Sequence, residues 1–270
     1  IIELSGCAFD HTWYNRGVTG KVYAPFKYLR ARHMVRNADF VIYVTKDFLQ
    51  RRYPSKGHTA YASNAEIEAP APAILEQRRH KIDREAPPYS IGMIGHANNN
   101  LKGLGTAIAA LGLAQQGVPA FRLHVLGMAS CQHWQPAIAR AGLDPDMIRF
   151  DGVLPVGRAV LEWLDGLDFY IQPSLHEGLP RSLIEAMSRG LPALASDTGG
   201  IPELLEPNCL HRKGNARELA DDLRRYLGDQ SFMHEQAARN FRVAHSYTRD
   251  VLKPRRAAFW AKVAEAVRGR

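Results

Sequence analysis

The sequence predicts an α/β fold built on a doubly wound parallel sheet. Three observations carry that reading. Short apolar runs recur along the 270 residues, at intervals long enough to hold a helix. The segments between many of them space their apolar residues three and four apart. Most of the runs also lack strict alternation, as strands covered on both faces do.

The elements follow in order. Ile1-Ile2-Glu3-Leu4 reads as a strand. The chain opens inside it, without Met, a basic leader or a cleavage site, so we expect a sequence whose beginning lies upstream. Pro25 to Arg36 reads as a basic helix carrying Lys27, Arg30, Arg32 and Arg36. Asp39 to Val44 is a β-rich run. Tyr61 to Pro88 breaks the pattern: Pro70, Pro72, Pro87 and Pro88 bracket one polar helix, Ile74 to Ile82, as in a linker. Six strand candidates then follow: Ser90–Gly95, Leu123–Gly127, Ile148–Phe150, Asp168–Ile171, Leu191–Ala195 and Cys209–Leu210. Helical stripes lie among them, formed by Leu101, Leu104, Ile108 and Leu111; by Val160, Leu161 and Leu164; by Leu183, Ile184 and Met187; and by Leu219, Leu223 and Leu227. These are core positions. Six strands suffice for a complete doubly wound domain. The tail, Gln230 to Arg270, reads as helical, with Phe259, Trp260, Val263 and Val267 on one side.

Composition narrows the function classes. With 46% hydrophobic and 23% charged residues, the chain is neither disordered, collagen-like nor a coiled coil. No apolar stretch approaches the roughly 20 residues of a membrane span. Three scattered cysteines (Cys7, Cys131, Cys209) make neither a disulfide framework nor a four-ligand zinc site, which points to a reducing, cytosolic setting. The balance of 35 Lys and Arg against 27 Asp and Glu, formally +8, favours anionic partners. The basic residues show no aromatic interleaving on one sheet face, which argues against nucleic acid. For the basic helix, a solvated face and a peripheral contact with anionic lipid both stand, the first favoured.

Several motifs fail. Gly103-Leu104-Gly105 starts a dinucleotide fingerprint, but Ile108 stands where the third Gly belongs. There is no phosphate loop of the G-x-x-x-x-G-K-[ST] kind and no G-x-S-x-G elbow. Cys131-Gln132-His133 has no further ligand at metal spacing, and His176-Glu177 lacks a second His.

Two loops at strand ends hold, in the position where open α/β sheets bind ligands. The first, Gly95-His96-Ala97-Asn98-Asn99-Asn100-Leu101-Lys102-Gly103, offers an anion Lys102 and free amides ahead of a helix. The second runs from Ser174 through Glu177, Gly178, Leu179, Pro180, Arg181 and Ser182 to Glu185 and Met187. Pro180 suits a first helical turn, whose amides near Arg181 and Ser182 point above the sheet. Carboxylates accept paired hydrogen bonds from vicinal hydroxyls, so Glu177 and Glu185 suit two polyols on either side of that anion-binding helix start. Hydroxyls, diphosphate, hydroxyls is the polarity of a nucleotide sugar. A third strand-to-helix segment, Ser196 to Glu203, turns on Gly199-Gly200 and is as well explained by structure as by ligand contact.

These residues resemble the retaining, GT-B-type glycosyltransferases of family 4 (glycosyl transferases group 1). Glu177-Gly-Leu-Pro-Arg-Ser-Leu-Ile-Glu185-Ala-Met is similar to the family's E-x7-E signature, and Gly190-Leu-Pro-Ala-Leu-Ala-Ser-Asp-Thr-Gly-Gly-Ile-Pro-Glu203 to its continuation. The resemblance covers about residues 35–250 and is strongest over 89–206. It implies a complete C-terminal Rossmann-like donor domain over 86–247. It further implies the tail end of an N-terminal, acceptor-side Rossmann-like domain with its linker over 1–85, and a helix over 248–270 packing back on that part. Glu177 would touch the donor sugar, Glu185 the ribose, and the amides of Gly178, Leu179, Arg181 and Ser182 the diphosphate. Lys102 would be one of two basic diphosphate ligands. The second is usually an Arg directly after Gly95; this chain has His96, a weaker partner when neutral. Leu154 would lie on the base side. The implied activity moves a hexosyl unit from a UDP- or GDP-type sugar to a hydroxyl acceptor, lipid-linked glycans included, in polysaccharide or glycoconjugate synthesis. It requires no cofactor and no metal. Other readings of the same residues are a sugar-nucleotide epimerase or phosphorylase of the same architecture, and a non-catalytic nucleotide-binding module.

Overall fold

The computed structural model describes residues 1–15, 17–84, 86–96, 100–128 and 131–269. Its N-terminal part holds β1 (Ile2–Leu4), α1 (Ala8–Asn15), α2 (Gly17–Arg36), β2 (Phe40–Tyr43), α3 (Phe48–Arg52), β3 (His58–Tyr61) and α4 (Pro72–Arg84). The three strands form one parallel sheet in the order β1-β2-β3. β3 is absent from the sequence reading because its residues alternate between half-buried and exposed and include two polar side chains, His58 and Thr59. The basic helix is longer than expected: α2 begins at Gly17 and carries Pro25 in its interior.

The second sheet is built from β4 (Tyr89–Ile94), β5 (Phe121–Leu126), β6 (Ile148–Gly152), β7 (Phe169–Gln172), β8 (Ala193–Ser196) and β9 (Leu210–His211). All pairs are parallel, in the order β6-β5-β4-β7-β8-β9. Between these strands run α5 (Leu104–Ala114), α6 (Cys131–Arg140), α7 (Arg158–Asp165) and α8 (Arg181–Ser188), and α9 (Ala216–Tyr226) follows the last of them. α6, with Pro136 inside it, was not expected as a helix. β7 and β8 are wholly buried, apolar up to the Gln172 and Ser196 that end them. Winding reverses between β4 and β7, so the loops after these two strands open onto the switch-point crevice.

The tail is two helices, α10 (Gln230–Ala244) and α11 (Arg249–Arg268), joined by a 3₁₀ turn. Of its expected apolar side, Phe259 and Val263 are buried whereas Trp260 and Val267 face out. Phe259 packs with Ile42 and Ala62 and stacks on His58, so α11 lies on the three-strand sheet. Arg256 pairs there with Glu3 at 3.0 Å. The chain passes between the two sheets twice. The passages are joined where Ile67 N–H donates to Tyr247 O at 3.1 Å and Arg249 N–H to Ile67 O at 2.9 Å.

α4 is fastened to the larger sheet rather than free as a linker. Its Arg78 is buried and donates to three carbonyls, of Leu164, Leu167 and Arg189. Lys81 pairs with buried Asp168 at 2.6 Å. Guanidinium burial is tolerable only with its donors occupied in this way.

Candidate active site

The two loops singled out in the sequence meet at the switch point. Leu101, in a 3₁₀ turn rather than on the helix that follows it, accepts a 2.8 Å hydrogen bond from the Leu175 amide. Ala97, Asn98 and Asn99 of the first loop lie outside the described residues. Gly95 closes β4, its amide bonded to Leu126 O at 2.9 Å. A Cβ there would collide with the Lys102 side chain, so glycine lets the ammonium arm fold back beside the strand end.

That ammonium meets Glu177 at 2.7 Å. Glu177 is buried, and its Oε1 accepts two further hydrogen bonds, from Ser174 Oγ at 2.7 Å and Gln172 Nε2 at 3.1 Å. Gln172 is the residue that sequence reasoning missed. It is buried at the end of β7, and its Oε1 accepts from the Tyr170 hydroxyl at 2.8 Å and from Ser182 Oγ at 3.0 Å. Its Nε2 also donates to Ser174 Oγ at 2.7 Å. One amide thus ties the Glu177 loop to the first turn of α8. The available signal was a glutamine ending an apolar strand, since a buried amide must find partners. Burial pushes the Tyr170 phenol well above its ordinary range, so it stays a neutral donor to this network.

α8 begins at Arg181 after extended Pro180, and no side chain caps it. Its first-turn amides and the positive end of its dipole therefore face the crevice. Beside them lies a cleft of about 570 Å³. Its lining holds the polar or backbone-presenting residues Gly95, His96, Arg181, Ser182 and Glu185 and the apolar residues Leu154, Ile94, Leu126 and Val160. The volume falls within the usual range for small-molecule pockets. In the cleft Arg181 Nε holds Glu185 at 2.8 Å, with the carboxylate mostly buried. Glu177 and Lys102 sit just outside the lining, reached through Gly95 and through the Ser182–Gln172 link.

The Leu179 side chain points elsewhere, whatever its amide faces. It lines a separate cavity of about 320 Å³ with Lys46, Tyr61 and Arg255, because the chain turns toward the three-strand sheet at Gly178. A Cβ on Gly178 would strike the carbonyl of Ser5, so the loop after β1 and the Glu177 loop touch backbone to backbone. His176 meets His11 of α1 across this seam, ring centres 5.4 Å apart, and burial lowers its pKa. Glu203, at the end of the third segment, reaches across to accept the amides of Lys46, Asp47 and Phe48 at 2.6, 3.1 and 2.8 Å.

Both carboxylates expected to hold hydroxyls are therefore ion-paired with neighbouring cations: Glu177 with Lys102, Glu185 with Arg181. The uncapped start of α8 falls between Glu177 and Glu185 in the chain.

Residues 88–229, more than half of the chain, match the family model for glycosyl transferases group 1. The chain belongs to that family. Among curated group 1 relatives and similar proteins, Staphylococcus aureus protein CapJ is 27% identical over 249 residues, covering 92% of this chain and 61% of CapJ. The amylovoran biosynthesis glycosyltransferase AmsK of Erwinia amylovora is 36% identical over 129 residues, covering 44% of this chain and 31% of AmsK. The chain thus spans less than two thirds of either relative's length. Among solved structures, the sucrose-phosphate synthase of Thermosynechococcus elongatus superposes with a TM-score of 0.75 at 18% identity, over 96% of this chain and 67% of that one. Anabaena HepE in complex with UDP-glucose gives 0.66 at 20% identity, over 91% and 68%. The fold is GT-B: the six-strand Rossmann-like sheet is complete, and three strands of a second sheet face its switch point.

Proposed function

We propose that this protein is a retaining glycosyltransferase that moves a hexosyl unit from a nucleotide diphosphate sugar to a hydroxyl acceptor in glycan synthesis. The observation that carries this is the pair of ion pairs flanking a bare helix start. A diphosphate arriving at the α8 amides draws Lys102 and Arg181 toward itself. The two carboxylates are released to accept hydroxyls, Glu177 from the hexose and Glu185 from the ribose. Lys102 and the amides of Gly178 to Ser182 then stabilise the negative charge that grows on the departing diphosphate. His96 lines the same cleft and is the second cationic or donor group of this reading. Leu154 and its apolar neighbours suit the flat face of a base, uracil by analogy with the UDP-glucose bound to HepE.

In this reading residues 86–247 bind the donor, 1–85 belong to the acceptor side, and 248–270 cross back to it. The acceptor is a hydroxyl of a lipid-linked glycan at the cytoplasmic face of a membrane. The peripheral contact this requires is sought on α2 and not in the donor cleft. No cofactor takes part. The names of CapJ and AmsK fit this reading without fixing sugar or acceptor.

The test is thermal stabilisation by UDP-, GDP- and ADP-hexoses together with proton NMR of the transferred sugar. The expected result is a higher Tm with one nucleotide series and a product that keeps the donor's anomeric configuration. An inverted product removes the retaining mechanism, and no stabilisation by any donor removes the whole reading.

A further inference from the structure

The structure assigns Asp151 as a positioning residue that sets the base-side wall of the donor cleft by clamping the loop that forms it. It rests on the proposed function only in that the cleft receives a nucleotide. Residues 152–157 join β6 to α7, and Val153, Leu154 and Val156 of this loop line the cleft. The loop has little packing of its own: Val153 is 66% and Val156 86% exposed. It is bounded by Gly152 and Gly157, at φ 75° and 94°, where a Cβ would meet nothing within 4 Å. A segment this poor in contacts takes its place from whatever holds its ends.

Asp151 holds both ends. β5 and β6 pair Val125 with Phe150 and then Leu126 with Gly152, so Asp151 is the extra residue of a bulge. Its side chain is only 10% exposed. Oδ2 accepts from His124 Nδ1 at 3.0 Å and from Trp163 Nε1 at 2.8 Å, and Oδ1 pairs with Arg149 Nε at 2.7 Å. The Arg149 pair is at the surface and contributes little. The two ring donors make the clamp: one oxygen joins β5, beside the strand that precedes the loop, to the helix that follows it. The remaining tie, Gly127 N–H to Gly152 O at 2.6 Å, fixes the strand end and not the helix. Trp163 also lies one turn after Val160, which lines the cleft, so the clamp sets that residue as well. Behind the loop is a cavity of about 400 Å³ with His124, Asp151 and Trp163 in its lining. Leu154 lines this cavity and the donor cleft alike. It is the partition between clamp and cleft, and space behind a side chain lets it withdraw unless its backbone is held.

The test compares the unaltered chain with three variants. Trp163→Phe keeps an aromatic ring and removes the indole donor; His124→Leu removes the other donor; His124→Asn returns an N–H close to the place of Nδ1. Calorimetric titration with UDP, GDP, ADP and inorganic diphosphate is combined with hydrogen exchange over residues 152–157. Trp163→Phe and His124→Leu should each weaken the preferred nucleotide about tenfold and leave diphosphate unchanged, with faster exchange at 152–157. His124→Asn should bring nucleotide affinity back to within about twofold of the unaltered chain. A merely structural role would weaken nucleotide and diphosphate in parallel. Parallel loss, unchanged nucleotide affinity in both donor-removing variants, or no rescue by His124→Asn overturns the assignment. A chain that binds none of the three nucleotides fails the proposed function instead, and the exchange result then decides the clamp alone: faster exchange in Trp163→Phe keeps it, unchanged exchange ends it.

Discussion

The two sheets of this molecule treat their polar residues in opposite ways. Around the six-strand sheet those of the site and its supports are buried and matched, with His211 on β9 the exception: Gln172 holds three hydroxyls and a carboxylate, Arg78 takes three carbonyls, and Asp168 takes Lys81. Around the three-strand sheet the cations of α2 stand in solvent without carboxylates among the described residues, beside exposed valine, phenylalanine and leucine. A buried, matched network fixes geometry, as a site that must stabilise developing charge requires. An exposed, unmatched cationic face fixes no geometry; it is suited to a partner that brings its own charge.

The comparison predicts where substitutions will hurt. Lys102→Ala should slow transfer about 10²–10³-fold, since under the proposed function it removes the charge assigned to the leaving diphosphate. Steady-state rates with saturating donor check this, and a near-unchanged rate takes Lys102 out of the mechanism. His211 on β9 tests the same half by pH. Burial lowers its pKa from the ordinary 6.5 to about 4, and neither ring nitrogen has a partner among the described residues. Between those values the unfolded chain binds a proton that the native one refuses. Stability therefore falls as pH drops from 6.5 toward 4, by up to about 3 kcal/mol. Urea midpoints across that window should show the slope, and His211→Leu should flatten it. Gln172→Leu leaves the Tyr170 and Ser182 hydroxyls without their acceptor and should cost about 2–3 kcal/mol of stability. A loss below 1 kcal/mol would mean that the network is not the rigid support described. Glu203→Ala strips the carboxylate from three amides at the start of α3 and should cost about 1–2 kcal/mol. Faster hydrogen exchange at residues 46–48 is its signature.

Legibility divided along the same line. β7 and β8 of the larger sheet were readable because burial on both faces leaves apolar runs such as Phe169 to Ile171. β3, half-exposed and partly polar, left no such trace. Glu177, Glu185 and Lys102 were legible as types at meaningful spacing. Their pairing with Lys102 and Arg181 was not, because it depends on where a folded loop returns a side chain. Leu179 sat in the right motif and points into another cavity. Gln172 gave no spacing signal at all. On α2 the sequence offers two apolar faces, and periodicity alone cannot choose between them. Packing buried the smaller residues, Gly20 and Ala24, and left Val22 and Phe26 outside.

The account turns on Lys102 and Glu177 exchanging each other for donor groups. Calorimetric titration of UDP against the protein and against Glu177→Gln tests this directly. A neutral amide at 177 keeps an acceptor for Ser174 and Gln172 but no longer competes with the diphosphate for the ammonium. We therefore expect Glu177→Gln to bind UDP more tightly, by about tenfold, while it loses hexosyl transfer. Weaker UDP binding by that variant, with its fold intact, would contradict the exchange.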